Sequence, residues 1–434
     1  VTTPKDVHLD RIIRPFKQVH KELSDGQVKY LDRKGWDGSR LSDGLNAFLK
    51  SAKKTVSYLA KEFEMKKAAD EYARASTSRT GVVDVNKLHS YKYNEDLFKR
   101  TTVVPNGKSH GLVMFIDLSG SMSENIGSTI EQLMCLTLFC KKVNIPFDVY
   151  GFNDNRYQGN AMKDAEGNIL PYADYKHGEL TLNETFYLRH YFSSEMRASE
   201  FKVALSNMWF MKFIYDYGDY YSHALPAEDM LGSTPLNDTI IIANQIVDLF
   251  REKTRVQVVN VVFLTDGESN GLGNFSDGNG GVVRTRYNGN IVLTDERTHK
   301  SHPLTGWTNQ TDTLLNVLKS NAGVNIAGFF LINKRRGKRE LNSFFYSSSD
   351  HVDVDVEFAK FKKDGVLVVT NRGYDEYYII PGGSDLSAVD SDDPLEGLSV
   401  DASKQKIKSA FGKSTGGKVK NKVVLTKFID LITS

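Results

Sequence analysis

Cysteine is almost absent from this 434-residue chain. The two that occur, Cys135 and Cys140, stand five apart inside an apolar run, which excludes both a disulfide framework and the C-x-x-C spacing of a zinc knuckle. Both are expected to be buried core residues. An excess of charge is also lacking: 56 Lys and Arg against 54 Asp and Glu leave a net +2, too weak a field to gather nucleic acid or anionic lipid. No stretch approaches the ~18 consecutive apolar residues that span a bilayer, and the first residues, VTTPKDVHLDRII, lack the charged and apolar regions of a signal peptide. The reading is no membrane and a reducing cytoplasm, with Val1 in place of Met leaving room for processing or an upstream segment. No G-x-x-x-x-G-K-[ST] occurs, so any ATP that drives the process is expected on another subunit.

What is present belongs to a globular protein: 40% hydrophobic residues, 25% charged, 24 Phe and 20 Tyr. The length suits two or three folded units. Residues 1–108 read as a helical region. Ile12, Ile13, Phe16, Val19 and Leu23 predict a short helix ended by Asp25-Gly26, and Leu45, Phe48, Leu49, Ala52, Val56, Leu59, Ala60 and Phe63 predict a longer one over 41–75.

From Leu112 the grammar changes. The run Leu112-Val113-Met114-Phe115-Ile116 stops at Asp117, a small-residue loop follows, and the S-x-x-E pair Ser128 and Glu131 predicts a buried helix starting near residue 129. Buried strands are expected at 147–152, 258–264, 326–332 and 366–369, with helices over 236–250 and 311–318. Strands alternating with helices predict an α/β fold over 109–434, with a doubly wound, mostly parallel, Rossmann-like sheet. Two insertions break the rhythm, at about 153–231 and 268–311; the second is Gly- and Asn-rich, then alternates through Val282, Val283, Tyr287, Ile291 and Leu293 as a hairpin would. Residues 384–401 read as an acidic linker and 423–432 as a closing helix.

Three separated pieces carry chemistry: Asp117-Leu118-Ser119-Gly120-Ser121, Gly232-Ser233-Thr234-Pro235-Leu236 and Leu264-Thr265-Asp266-Gly267. Asp117 and Asp266 each end a predicted strand and Thr234 opens a helix, so all three pieces should meet at one sheet edge, where doubly wound folds bind ligands. Spacing at i, i+2 and i+4 turns Asp117, Ser119 and Ser121 to one side as strand becomes loop. Carboxylate and hydroxyl oxygens suit a hard cation, Mg²⁺ or else Mn²⁺ or Ca²⁺, and the lack of His and Cys disfavours zinc. Two carboxylates and three neutral hydroxyls leave such an ion under-neutralised, so that an outside carboxylate can complete its shell. No general base or second metal site accompanies the set, which favours binding over hydrolysis. Gly120 and Gly267 are expected to allow tight bends beside it.

This D-x-S-x-S, G-S-T-P-L and L-T-D-G series resembles the metal-ion-dependent adhesion site (MIDAS) of von Willebrand factor A (vWA) domains. The resemblance implies direct metal bonds from Ser119, Ser121 and Thr234, with Asp117 and Asp266 acting largely through water. The helical leader, the segment Tyr91 to Arg100 and the stretch Tyr187-Leu188-Arg189-His190 are also similar to the CobT-type subunit of aerobic cobaltochelatase and its relatives in large tailed phages. That similarity implies a partner, a MoxR-type AAA+ ATPase, in an ATP-driven remodelling complex, and a host-cytoplasm location if the chain is phage-encoded. The acidic linker of bacterial cobaltochelatase members is missing ahead of Asp117 and no His run appears, so an adaptor role is expected rather than cobalt insertion. A chelatase-like subunit and a phage-particle adhesion component are the alternatives, and the oligomeric state is open. The basic run Lys334 to Arg339 reads as a solvated loop, without nucleic acid, and His177, His190 and His223 fit no zinc pattern.

Overall fold

The computed structural model describes residues 1–73, 76–83, 98–103, 109–154, 163, 165–217, 224–265, 269–272, 274–284, 291–295, 298–304, 306–332, 337–346, 353–369, 373–381, 427 and 429. The leader contributes α1 (Leu9–Ile12), β1 (Ile13–Arg14), α2 (Phe16–Lys34), α3 (Ser39–Ala73) and a ribbon of β2 (Ser76–Val83) with β3 (Phe98–Val103). Then follow β4 (His110–Asp117), α4 (Ile126–Lys142), β5 (Phe147–Asp154), β6 (Phe186–Ser193), α5 (Ala198–Asp216), α6 (Leu236–Thr254) and β7 (Val258–Thr265). Two short ribbons, β8 (Asn274–Ser276) with β9 (Val282–Arg284) and β10 (Ile291–Thr294) with β11 (Ser301–Leu304), precede α7 (Gly306–Ala322) and β12 (Asn325–Ile332). The order closes with α8 (Gly337–Tyr346), α9 (Val354–Asp364), β13 (Leu367–Val369) and β14 (Glu376–Pro381).

Among the described residues eight strands form the central sheet, in the order β1-β6-β5-β4-β7-β12-β14-β13. The run β5-β4-β7-β12-β14 is parallel throughout, while β6 and β13 join antiparallel. The expected doubly wound α/β fold is therefore the one found. Its cause is visible in β4, where seven of eight residues are buried because helices cover both faces of a parallel sheet. Leu112, Met114 and Ile116 enter the core shared with α2, α3, α4 and α5, whereas Val113 and Phe115 enter the core under α6 and α7, the period-two alternation of a strand. Across that second face Phe115 stacks on Phe263 at 5.2 Å and on Tyr150 at 5.7 Å.

Several expectations need correction. Helix α2 does not stop at Gly26 but runs to Lys34, and a Cβ at Gly26 would stand 2.5 Å from the Ala224 carbonyl, so this glycine serves close packing rather than a turn. Helix α4 begins at Ile126, earlier than expected. Ser128 is already helical and its Oγ donates to Asn125 O at 2.9 Å, while Glu131 pairs with Lys212 on α5 at 3.2 Å, so no capping box forms. The first insertion carries structure of its own and is part of the same fold: β6 lengthens the sheet and α5 packs on α4, with Met208, Phe210 and Met211 in the common core. The strand expected at 366–369 is the short antiparallel edge β13; β14, which no periodicity announced, takes the inner place beside β12. The linker at 384–401 and most of the closing helix at 423–432 lie outside the described residues; Lys427 and Ile429 are helical, and Ile429 is buried in the first core. Cys135 and Cys140 are buried, and neither forms a disulfide. Among the described residues no helix is long and apolar enough to cross a membrane.

Candidate metal centre

The sheet changes winding direction at β4. It has β5 on one side and β7 on the other, and the chain reaches the first through α4 and the second through α6, which lie against opposite faces. A crevice opens outside the carboxyl ends of strands at such a point. Asp117 sits there, with no exposure to solvent. Its Oδ1 accepts from Ser119 N at 2.8 Å and its Oδ2 from Thr265 Oγ1 at 2.6 Å, so donors from two strand ends orient one carboxylate. Ser119 is buried, Ser121 is exposed, and their Oγ atoms lie 2.9 Å apart in a hydrogen bond that opens towards solvent.

The Thr234 segment is drawn to the same place by the backbone. Ser119 and Gly232 form a parallel bridge: Gly120 N donates to Gly232 O at 2.8 Å and Gly232 N to Leu118 O at 2.9 Å. On its other side Ser233 N donates to Asp154 O at 3.1 Å, and Asn153 Nδ2 donates to Met230 O at 2.6 Å. A Cβ at Gly232 would meet Asn153 Oδ1 at 2.4 Å and Asp154 O at 2.7 Å, so only glycine fits between the two loops. Gly120, by contrast, has its nearest such contact at 3.8 Å, and its φ is not positive, so the tight bend expected of it is not needed. Thr234 is half-buried, and its carbonyl accepts from Asn270 N at 2.9 Å. Ser269 Oγ accepts from Asn237 N at 2.8 Å, fastening the chain beyond β7 to the start of α6.

Asp117, Ser119, Ser121 and the Thr234 loop are thus brought to one crevice. Asp266 and Gly267 lie outside the described residues, although Thr265 before them bonds Asp117 and Asn270 after them bonds the Thr234 carbonyl. Sequence reasoning missed Thr265, Asn153 and Asp154. Thr265 stands inside the L-T-D-G motif, and Asn153-Asp154 ends a fully buried strand beside the switch point, which was the available signal. Asp154 is itself fixed by Asn183 Nδ2 at 2.5 Å and by the Thr185 hydroxyl.

The oxygen set can be tested against the ion it implies. The two serine hydroxyls lie 2.9 Å apart, the separation of their own hydrogen bond. Cis ligands of an octahedral Mg²⁺ with bonds near 2.1 Å stand about 3.0 Å apart, so both hydroxyls could turn to one such ion without moving far. Among the described residues no group of three or more His, Cys, Asp or Glu side chains is placed to hold a metal.

Five residues upstream of Thr234 lies a buried ionic network. Arg189 on β6 has no solvent exposure. Its Nε and Nη2 grip the Asp229 carboxylate at 2.9 and 2.5 Å, and its Nη1 reaches Glu228 at 2.9 Å and Glu22 of α2 at 2.5 Å. Arg14 Nε adds a second contact to Glu228 at 3.1 Å, and Tyr191 OH donates to Asp229 at 2.6 Å. Burial alone would lower the Arg189 guanidinium; Asp229 leads the groups that outweigh it and hold the pKa well above the ordinary value. Burial, then Asp229, pushes the Tyr191 phenol upward. Beside them His20 is buried with Nε2 2.6 Å from Tyr191 O, and burial lowers it to about 4.

No protein-family model matches the chain, and no curated protein matches it. Among solved structures it is similar to the open conformation of the pilus adhesin SpaC from Lactobacillus rhamnosus GG, at 13% identity and TM-score 0.29, covering 60% of this chain and 30% of that one. It is similar to the human COPII-coat protein Sec24c at 13% identity and TM-score 0.26, covering 54% and 28%. The three N-terminal domains of the type V pili tip protein Mfa5 from Porphyromonas gingivalis follow at 10% identity and TM-score 0.23, covering 59% and 48%. The chain spans less than half the length of each, and likeness at this level decides neither family nor function.

Proposed function

We propose that the chain is a metal-dependent protein-interaction subunit, a vWA-type adaptor whose MIDAS holds Mg²⁺ and binds a carboxylate of a partner protein. The observation that carries this reading is the meeting of the Asp117 and Thr234 loops at the sheet's switch point, with two serine hydroxyls at the spacing of adjacent magnesium ligands. Ser119, Ser121 and Thr234 would hold the ion directly, and Asp117 and Asp266 would act through water. When bound, the ion supplies a Lewis-acid position open to an incoming Asp or Glu. The chain's own part is orientation: Ser119 N and Thr265 Oγ1 fix the Asp117 carboxylate, and Gly232 lets the second loop approach closely enough to complete the set. Mn²⁺ and Ca²⁺ are the other hard cations this oxygen set suits.

The partner in this reading is a MoxR-type AAA+ ATPase, and the setting is the cytoplasm, the host's if the chain is phage-encoded. Both come from the resemblance to CobT-type subunits. The test is co-precipitation of tagged protein with such an ATPase in Mg²⁺, in chelator, and with Asp117→Ala. Binding should be lost in the last two conditions; binding that survives both rejects the proposal.

A further inference from the structure

The buried network around Arg189 does more than join the leader to the sheet. Its members come from the leader, Arg14 on β1 and Glu22 on α2, from Arg189 on β6 and from the Glu228-Asp229 pair of the turn Ala227–Asp229. That turn leads directly into the Thr234 loop. Tyr187 OH donates to Glu228 O at 3.0 Å, and Tyr215 OH donates to Asp229 O, so the turn's carbonyls are held as well as its carboxylates. The next residue, Met230, accepts from Asn153, and Gly232 and Ser233 are bonded to the Asp117 loop and to Asp154. Every step from Glu22 to Thr234 is thus a hydrogen bond, an ion pair or a few residues of chain.

A burial-only explanation is insufficient. Joining the leader to the sheet needs apolar contact, which α2 already supplies through Val19, Leu23 and Tyr30. Burying a guanidinium and its carboxylates is costly and is often neutral or worse for stability than an apolar replacement. What such a network provides is directional restraint, since a bidentate guanidinium–carboxylate pair fixes orientation as well as distance.

We propose that Arg189 is a positioning residue for the Thr234 loop, and that Glu22 makes the loop's position depend on where α2 lies. The leader helix and the candidate metal centre are then coupled, and coupling of binding equilibria is reciprocal: a partner that moves α2 alters ion affinity, and ion binding alters the partner's grip on α2. This inference rests on the metal-site reading for its consequence but not for its mechanism, and the test separates the two.

The experiment uses the full chain and Mn²⁺ as probe. Mn²⁺ affinity and the amide hydrogen exchange of residues 230–234 are measured for wild type, Glu22→Gln, Arg189→Lys, Asp117→Ala and the control Arg197→Gln, whose exposed side chain pairs with Glu200 on the surface. Glu22 is itself about one-third exposed, so its isosteric amide should fold normally. Glu22→Gln and Arg189→Lys are expected to weaken Mn²⁺ binding about fivefold or more and to speed exchange at Gly232 and Ser233 even without metal, whereas Arg197→Gln changes neither. Wild-type exchange in 230–234 for Glu22→Gln and Arg189→Lys overturns the inference, whatever the metal does. Faster exchange with no Mn²⁺ binding in wild type, or binding indifferent to Asp117→Ala, keeps the coupling and rejects the metal site.

Discussion

Thr265 Oγ1 donates to the Asp117 carboxylate at 2.6 Å, a bond between the ends of two neighbouring parallel strands that fixes the direction of the first acidic residue of the proposed ligand set. Valine has nearly the shape of threonine and lacks the donor. Thr265→Val should cost about 1.5 to 3 kcal/mol, the range for a hydrogen bond to a charged group. It should also weaken Mn²⁺ binding roughly tenfold or more, as loss of a group that orients a metal ligand does. Titration calorimetry and urea unfolding check the two effects separately; affinity equal to wild type would remove Thr265 from the site.

Gly232→Ala places a methyl against Asn153 Oδ1 and Asp154 O, atoms of residues with 0% and 1% exposure. A backbone carbonyl cannot swing aside as a side-chain tip can, so the loop must retreat from the Asp117 side. The expected cost is about 1 to 3 kcal/mol, with loss of Mn²⁺ binding. Gly120→Ala, where the nearest contact is 3.8 Å, should keep the fold and most of the affinity. Equal behaviour of the two variants would contradict the geometry.

The sequence made the centre of the sheet legible because a strand buried on both faces is a short, nearly continuous apolar run, as in Leu112 to Ile116 and Val261 to Leu264. The site motif was legible for a related reason: it begins where those runs stop. The edges were not. β6 reads as Phe186-Tyr187-Leu188-Arg189-His190, with a charge and an imidazole in a strand that is buried throughout, and it is long-range partners, Asp229, Glu228 and Glu22 for Arg189 and Asp148 for His190, that make those residues tolerable there. Gly26 looked like punctuation because local grammar cannot see Ala224, nearly two hundred residues away.

Asp229→Asn tests the network's energetics directly. The carboxylate accepts from Arg189 Nε and Nη2 and from Tyr191 OH, and an amide must turn its NH₂ towards one of these donors. Breaking a buried pair by removing one charge costs about 3 to 5 kcal/mol. Chemical denaturation should show the midpoint falling with an unchanged slope, and a shift below 1 kcal/mol would mean that water reaches the pair.

The His20 imidazole, lowered by burial from 6.5 to about 4, gives a pH dependence whose sign is fixed. The folded protein holds it neutral, while the unfolded chain protonates it near 6.5. Stability is therefore fully present above 6.5 and lost as pH falls from 6.5 towards 4, by up to about 3 kcal/mol. His20→Gln keeps a donor for Tyr191 O and cannot titrate, so its unfolding free energy should vary less between pH 7 and pH 4 than that of wild type. Parallel pH profiles for the two proteins would assign the acid sensitivity elsewhere.

Gly26 sets two opposed effects of known size against each other. In an exposed helix interior, glycine to alanine stabilises by about 0.8 to 1.0 kcal/mol, and α2 continues on both sides of Gly26. Against this, the new Cβ would lie 2.5 Å from Ala224 O, on the segment that leads to the network turn Ala227–Asp229. Overpacking against a backbone costs typically 1 to 3 kcal/mol, so the clash should win. Gly26→Ala is expected to lower the thermal midpoint and, because α2 must lift, to strain the contact between Glu22 and Arg189. Gly38→Ala, at a positive φ of 79° outside the helices, should destabilise through backbone strain without touching exchange at residues 230–234. A stabilised Gly26→Ala would show that α2 can slide over Ala224, and would make the leader's seat on the sheet looser than its close contacts imply.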